Sequence, residues 1–103
     1  MYDAHRAALA QANDSCTVVT DLISGRPARY IKNKLIDDLV ASGLQPLPIP
    51  AQLSLTFPLG AEGDRDFAVL LSGQSAALTR DTNAAELVAR LAEETGRRLR
   101  AFA

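Results

Sequence analysis

The residues best suited to chemistry are basic side chains crowded around one turn. Arg26 and Arg29 follow closely on the pair Ser24-Gly25. A guanidinium fork can hold a small planar anion through two parallel hydrogen bonds. We interpret Arg26 and Arg29 as candidate anion-binding residues. The alternative, which the sequence leaves equally open, is that one arginine pairs with Asp21 across the turn and the other is solvated.

Other residue types that often carry catalysis occur singly. His5 is the only histidine and Cys16 the only cysteine. A histidine without a second ligand, a carboxylate or a nucleophile within sequence reach is more often structural. A lone cysteine beside a strand is more often a small buried apolar residue. Because the sequence also lacks paired carboxylates, metal-ligand clusters and a glycine-rich phosphate loop, we assign no catalytic residue and no metal site within the chain.

A glycine beside a glutamine forms a second candidate site. The apolar stretch from Phe67 to Arg80 predicts a helix, and Gly73 within it costs roughly 1 kcal/mol relative to alanine. Such a glycine is usually kept for close packing or for the approach of a ligand. Gln74 can both donate and accept hydrogen bonds. A contact between helices and a contact with a ligand therefore both remain open.

The basic turn lies between a predicted strand and a predicted helix. The β-branched run within Cys16–Leu22 favours a strand. A proline suits the first position of a helix, so we predict a helix from Pro27 to Ser42 that Gly43 ends in the left-handed conformation. Arg26 and Arg29 would then lie at a helix start, where the dipole and free N–H groups favour anions.

The remaining chain reads as helices joined by short connections. The proline-rich stretch is interpreted as a stiff extended connector, the alternative being a ligand for an aromatic groove. Asn83 with Glu86 forms a capping box at the start of the last helix. The predicted segments are a helix from Tyr2 to Ala12, the connector Leu44–Pro50, a loop at Gly60–Asp64 and a helix from Asn83 to about Phe102. The stretch Gln52–Leu59 is left open between a strand, which the alternation of Leu53, Leu55 and Phe57 favours, and a short helix from Pro50 to about Phe57, which we prefer.

Composition narrows the class of protein. The net charge is −1 and nearly half of the 103 residues are apolar. The balanced charge provides no field that would draw nucleic acid or a membrane surface. No apolar run reaches the length of a membrane span, and the N-terminus lacks the pattern of a secretory leader. The single Cys16 fits a reducing compartment, so we predict a cytoplasmic protein that binds neither nucleic acid nor membrane.

Three stretches resemble motifs of one enzyme family, the nitronate monooxygenases, once called 2-nitropropane dioxygenases. They occur in the family's order and span nearly the whole chain. The stretches are Ala4-His5-Arg6-Ala7-Ala8-Leu9, similar to the family's "AHxxYKxALL" run; Ser24-Gly25-Arg26-Pro27-Ala28-Arg29 with Lys32-Asn33, similar to "SGRPAR…N"; and Ser72-Gly73-Gln74-Ser75-Ala76-Ala77-Leu78 with Ala84-Ala85-Glu86-Leu87-Val88, similar to "AGQxAGL…AAELV".

The resemblance implies a specific chemistry. Members of the family are FMN enzymes on a TIM barrel with a small inserted domain, and they oxidise alkyl nitronates with O₂. Their catalytic histidine and phosphate-binding loops lie upstream of these motifs. By resemblance, Gly73 and Gln74 lie near the flavin, Arg26 and Arg29 lie on the substrate side, and FMN is expected in the intact enzyme but not on this chain alone.

The expected fold is α+β, mostly helical, and corresponds to the C-terminal part of a TIM-barrel flavoenzyme. A complete barrel needs roughly 200 residues or more, which this chain lacks. Residues 1–60 resemble the small substrate-side domain, and residues 61–103 the helices that close the barrel. The alternatives are a non-enzymatic helical domain and a part of a flavin-dependent enoyl-acyl-carrier-protein reductase. Uncovered apolar stripes and one unpaired strand predict a homo-oligomer in isolation.

Overall fold

The computed structural model describes residues 3–61, 63–80 and 83–103. Within these ranges the chain forms four α-helices and a two-stranded sheet, which is the predicted α+β class. The predicted start of the first helix at Tyr2 lies outside the described residues. The elements are α1 (Asp3–Ala10), β1 (Thr17–Thr20), β2 (Ala28–Ile31), α2 (Lys34–Ser42), α3 (Ala51–Thr56) and α4 (Ala84–Arg100), with 3₁₀ turns at Phe57–Gly60 and Ala76–Leu78.

β1 and β2 form an antiparallel hairpin in which Val18 stands opposite Tyr30 and Val19 opposite Arg29. The strand predicted within Cys16–Leu22 is confirmed. The helix predicted from Pro27 is wrong in its first part, because residues 28–31 pair with β1 instead. Pro27 fixes a backbone angle that a turn entering a strand uses as readily as a helix does.

α2 begins at Lys34, after an N-cap. The Asn33 side-chain oxygen accepts a hydrogen bond from the Ile36 N–H at 3.2 Å. The helix ends where predicted, at Gly43 with φ 69°. Leu35 and Ile36 are buried on the inner face of α2.

In the segment 67–72, Phe67 lies in a turn, Ala68 lies at a bend and residues 69–72 run alongside β2, so the helix predicted from Phe67 to Arg80 is wrong. The Ile31 N–H donates to the Leu70 carbonyl at 2.8 Å, and Leu71 forms an antiparallel bridge with Tyr30. The backbone groups on the second edge of β2 need partners, and this segment supplies them. Of the predicted helix, one 3₁₀ turn at Ala76–Leu78 is present.

Two small cores lie on opposite sides of the sheet. Successive residues of an extended chain point to opposite faces, so β2 and the segment 67–72 each contribute to both cores. The first core contains Ala8, Ile31, Ala68 and Leu70. The second contains Ile23, Tyr30, Leu35 and Ile36, with Phe67 and Val69 packed against it.

α3 and α4 form close to their predicted positions. The Asn83 side-chain oxygen accepts from the Glu86 N–H at 2.8 Å, as the capping box predicts. No residue of α4 is buried. The molecule is correspondingly elongated, with extents of 55 × 27 × 25 Å and a radius of gyration of 17.0 Å. A compact chain of this length would have a radius of about 13 Å. No helix among the described residues has the length and apolar character needed to cross a bilayer.

Candidate functional site

Three segments that lie far apart in the sequence meet at the end of the sheet. His5 on α1 donates through Nε2 to the Leu71 carbonyl at 2.7 Å. The next residue, Ser72, donates its N–H to the Arg29 carbonyl of β2 at 3.1 Å. These contacts join the stretches 4–9, 24–33 and 72–78 at one place. His5 therefore has the structural role that the sequence analysis favoured.

Arg29 lies on β2 and is half-buried. Its Nη1 donates to the Thr17 hydroxyl at 3.0 Å, across the hairpin. The hydroxyl is neutral, so the contact orients the guanidinium without neutralising it. The described residues offer no further hydrogen-bond partner to this side chain, and the alternative pairing of an arginine with Asp21 is absent from the described part of the chain.

Arg26 lies in the hairpin turn and is exposed. The Ser24 hydroxyl donates to the Arg26 carbonyl at 3.1 Å and accepts from the Arg26 N–H at 3.3 Å. These bonds fix the backbone of Arg26 and leave its side chain unpaired among the described residues. Neither Arg26 nor Arg29 lies at a helix start, because α2 begins at Lys34. The prediction that a helix start beside these arginines would help to bind an anion is therefore wrong.

The hairpin turn is pressed against the proline-rich segment. Gly25 has φ 89°, and a Cβ placed there would come within 2.4 Å of the Leu47 carbonyl oxygen. Only glycine fits this combination of left-handed backbone and close approach. The position of Arg26, one residue later, is thereby set by the packing of the turn.

Gly73 and Gln74 lie in an open loop directly after Ser72. A Cβ on Gly73 would find no atom within 4 Å, so no helix packs against it. The helix contact predicted as one alternative is therefore absent from the described chain. Ser72 donates its hydroxyl to the Gly73 carbonyl at 3.1 Å. Gly73 and Gln74 are exposed, and they lie beside the end of the sheet that carries Arg29.

A buried asparagine that the sequence analysis left without a role holds this arrangement together. Besides capping α2, Asn33 donates its amide to the Arg65 carbonyl at 3.0 Å and to the Ala68 carbonyl at 2.8 Å. It thereby fixes the start of the segment 67–72. The only sequence signal for Asn33 was its place in the "SGRPAR…N" pattern. Its hydrogen-bond partners could not be predicted because they lie more than thirty residues away in the sequence.

Two polar side chains of α3 hold the other side of the hairpin turn. The buried Gln52 donates to the Leu22 carbonyl at 2.7 Å and accepts from the Leu47 N–H at 3.1 Å. The Thr56 hydroxyl donates to the Ile23 carbonyl at 2.7 Å. The turn that carries Arg26 is therefore anchored through its backbone by side chains with no free hydrogen-bonding atoms.

Lys34, the first residue of α2, has its pKa raised by its hydrogen bond to Asp38 and by the negative charge of that carboxylate. Cys16 is half-buried and free. Residues 3–61, 63–80 and 83–103 contain no group of three side chains that could hold a metal ion.

The family resemblance would place a flavin beside Gly73 and Gln74. Both residues are exposed in an open loop, which leaves room there, and the Gln74 amide can donate and accept hydrogen bonds. The guanidinium groups of Arg26 and Arg29 carry the charge that would suit a small anion.

Comparison with known proteins gives one family. The family model described as nitronate monooxygenase matches residues 1–94. The nitronate monooxygenase of Pseudomonas aeruginosa is 40% identical over 96 residues, which are 88% of this chain and 27% of that protein. The probable nitronate monooxygenase of Staphylococcus haemolyticus is 29% identical over 93 residues, 86% of this chain and 26% of that protein. The chain thus spans about a quarter of the length of these relatives.

A solved structure shares the fold. The structure of FabK from Thermotoga maritima matches 97% of this chain and 34% of its own, with a TM-score of 0.64 and 22% sequence identity. At this identity the likeness concerns the fold alone.

Proposed function

The chain belongs to the nitronate monooxygenase family, and we propose that it supplies the C-terminal part of an enzyme that oxidises alkyl nitronates with O₂ using FMN. The observation that carries this proposal is the meeting of the three family-like stretches at the end of the sheet. The hydrogen bond from Ser72 to Arg29 brings the candidate substrate-side residue Arg29 and the loop that carries Gly73 onto neighbouring segments. The family match over residues 1–94 supplies the reaction class.

We propose the same division of the chain that the resemblance implies. Residues 1–60 would belong to a small substrate-side domain and residues 61–103 to helices that close a TIM barrel. The fold shared with FabK supports a common scaffold. The cytoplasmic location predicted from composition stays a prediction.

Within the site, the two arginines and the loop have different roles in this proposal. Arg26 and Arg29 face the nitronate, a planar anion whose two oxygens match a guanidinium fork. Thr17 orients the Arg29 fork. Gly73 and Gln74 lie on the flavin side. FMN, when bound, supplies the redox chemistry, and the residues described here bind and orient its reaction partner.

On its own the chain is proposed to be inactive and to bind no flavin. The supporting observation is that the chain spans 27% of the length of the Pseudomonas aeruginosa relative. A measurement of visible absorbance on the purified chain tests this proposal. Near-stoichiometric flavin absorbance would contradict it.

A chimera tests the function directly. Residues 1–94 replace the matching segment of the Pseudomonas aeruginosa enzyme, and FMN content and nitronate-dependent O₂ uptake are measured. We expect bound FMN and nitronate oxidation. A folded chimera that binds FMN but consumes no O₂ with any alkyl nitronate would contradict the proposed substrate class.

Arg→Lys substitutions in the active chimera test the substrate side. Lysine keeps the charge but loses the fork, so KM for the nitronate should rise by roughly tenfold, about 1.4 kcal/mol, at Arg26 and at Arg29. The melting temperature should change little. Arg65→Lys is the matched control, since Arg65 bonds Gln11 on the surface. Unchanged kinetics with lowered melting temperature would assign both arginines a structural role.

A further inference from the structure

Val19 lies directly opposite Arg29 in the hairpin. In an antiparallel pair, the side chains of opposite residues project from the same face of the sheet, with their Cβ atoms about 4.5 to 5.5 Å apart. Val19 is 52% exposed, whereas Val18, its neighbour on the strand, packs against the second core on the other face. An apolar side chain therefore lies next to the candidate substrate-side arginine.

The Arg29 side chain crosses toward β1, the strand that carries Val19. Its Nη1 donates to the Thr17 hydroxyl at 3.0 Å. Thr17 and Val19 project from the same face of β1, because a single residue separates them. The guanidinium is thus held over β1 and not over the segment 67–72. An anion bound by its other N–H groups would lie beside Val19.

The loop proposed to lie on the flavin side begins directly after Ser72, across β2 from Val19. The Ser72 N–H donates to the Arg29 carbonyl at 3.1 Å, and the antiparallel bridge between Tyr30 and Leu71 sets Ser72 opposite Arg29. Adjacent strands are about 4.8 Å apart. One row of side chains therefore runs across the sheet face, apolar at Val19, cationic at Arg29 and polar at Ser72.

The chemistry of an alkyl nitronate matches this row. Its oxygens are bonded to nitrogen and share the negative charge, whereas its alkyl substituent is apolar and begins at the adjacent carbon. The oxygens suit the Arg29 guanidinium. With the flavin beyond Ser72, the substituent extends in the opposite direction, toward β1, where Val19 offers an apolar contact.

We propose that Val19 determines which alkyl nitronates the site accepts, by contacting the alkyl substituent while Arg29 binds the oxygens. This inference rests on the proposed function, since it takes Arg29 to face the substrate. Because the two side chains share one face and one row, the space that a longer enzyme leaves over Arg29 for the nitronate extends over Val19 as well.

The size of the side chain at position 19 sets the room for the alkyl chain. Valine has two methyl groups more than alanine, so Val19→Ala opens space for about one or two methylene groups of the substrate. Each methylene group buried against an apolar wall strengthens binding by about fourfold. Position 19 therefore discriminates between substrates by their length and leaves the recognition of their charge to Arg29.

Kinetics of the active chimera with primary alkyl nitronates of roughly two to six carbons test this inference. The measured quantity is the ratio of kcat/KM for a long nitronate to kcat/KM for a short one. Val19→Ala should raise this ratio by about tenfold, and Val19→Phe should lower it by about tenfold. Val19→Thr keeps the branched shape and should leave the ratio within about twofold of the parent chimera.

Val18→Ala is the matched control, because it truncates the same type of side chain on the opposite face of β1. It should lower the melting temperature, since Val18 packs against a core, and should leave the ratio unchanged. Melting temperature and FMN content are measured for every variant, so that a folding defect is detected separately from a change in substrate preference.

Two outcomes would overturn the inference and leave the proposed function standing. One is a ratio that stays unchanged in both Val19→Ala and Val19→Phe, and the other is a ratio that Val18→Ala shifts as much as Val19→Ala does. A parent chimera that binds FMN but oxidises no alkyl nitronate would instead overturn the proposed function, and this inference with it.

Discussion

The sheet body, residues 3–61 and 63–80, and helix α4 use the same kinds of side chain with opposite results. Leu70 in the body is 1% exposed, whereas Leu91 on α4 is 53% exposed. Both belong to apolar patterns that predict burial. The difference lies in partners, since the body closes around itself and α4 has nothing described against its stripe. The apolar periodicity therefore predicts which side chains form a hydrophobic face. Whether that face is buried depends on the packing of residues that are distant in the sequence.

The two regions also differ in what defines their structure. α4 is specified by local signals, namely its cap, its helix-forming composition and its basic C-terminal turn. The body is specified by hydrogen bonds between distant residues, such as those from His5 to Leu71 and from Ile31 to Leu70. Matched substitutions in the two regions should therefore give different results.

The largest difference is expected for leucine truncation. Leu70→Ala removes packing from a closed core and should lower the free energy of unfolding by about 3 kcal/mol. Leu91→Ala removes an exposed side chain and should change it by less than about 0.5 kcal/mol at concentrations where the chain is monomeric. Urea denaturation followed by circular dichroism measures both. Equal costs would mean that α4 is covered even in the monomer.

Replacing the two N-cap asparagines should separate the contribution of helix capping from that of the Asn33 amide hydrogen bonds to the Arg65 and Ala68 carbonyls. Asn33→Ala removes a cap and two buried amide hydrogen bonds, so we expect a loss of about 2 to 3 kcal/mol. Asn83→Ala removes an exposed cap alone, and helix α4 should lose about 1 kcal/mol. Thermal denaturation of the two variants makes this comparison.

Asn33→Ser is the matched control for the two amide hydrogen bonds of Asn33. Serine keeps the capping oxygen but loses both amide donors, so it should recover only about 1 kcal/mol of the alanine defect. Full recovery would show that the bonds to the Arg65 and Ala68 carbonyls contribute nothing.

Glycine substitutions should give effects of opposite sign in the two regions. Gly25→Ala forces a Cβ into the Leu47 carbonyl at a left-handed backbone and should cost about 2 kcal/mol. Gly96 lies within α4, where a Cβ would meet only the mobile end of Arg100 at 3.4 Å. Gly96→Ala should therefore stabilise α4 by about 0.5 to 1 kcal/mol. Amide hydrogen exchange resolves both changes, and a destabilising Gly96→Ala would show that α4 packs against something at that edge.

The smallest difference is expected where both regions present exposed ion pairs. Lys34–Asp38 on α2 and Arg90–Glu94 on α4 have the same i, i+4 spacing. Asp38→Asn and Glu94→Gln should each lower the melting temperature by less than about 2 °C at pH 7.

The Lys34 pair carries a pH signature. Because the folded-state pKa of Lys34 lies above its ordinary value, its stabilisation is fully present below that value and is lost as pH rises through the raised pKa. The melting-temperature difference between the parent and Asp38→Asn should therefore diminish as pH rises above the ordinary lysine pKa of 10.5. A difference that persists there would mean that Asp38 stabilises α2 without Lys34.

Elements specified by local signals were predicted correctly from the sequence, and those specified by contacts between distant residues were not. β1, α4 and the end of α2 at Gly43 were predictable because each depends on residues within a few positions. Residues 28–31 and 69–72 were wrongly predicted as helix. Their apolar spacing suits a helix, but residues 28–31 pair with β1 on one edge and with residues 70–72 on the other.

The sequence motifs supplied the candidate residues, and their arrangement in space could not be predicted from the sequence. The motifs named Arg26, Arg29, Gly73 and Gln74, yet the helix starts and helix contacts expected around them are absent from the described structure. The hydrogen bonds that hold these segments together are accepted by the Leu71 and Arg29 backbone carbonyls. Every residue has such a carbonyl, so the residue types do not predict these bonds. Asn33, buried in the middle, was visible only as one letter of a motif.

The pairing of β2 with the segment 67–72 also determines when this protein can fold. Ala8 and Ile31 are covered by Ala68 and Leu70, so the sheet body has a high contact order and should close slowly. During translation at about 5 to 20 residues per second, synthesis must pass Leu70 before that core can be completed. Until then the nascent hairpin carries an unpaired strand edge, which is open to pairing with another chain.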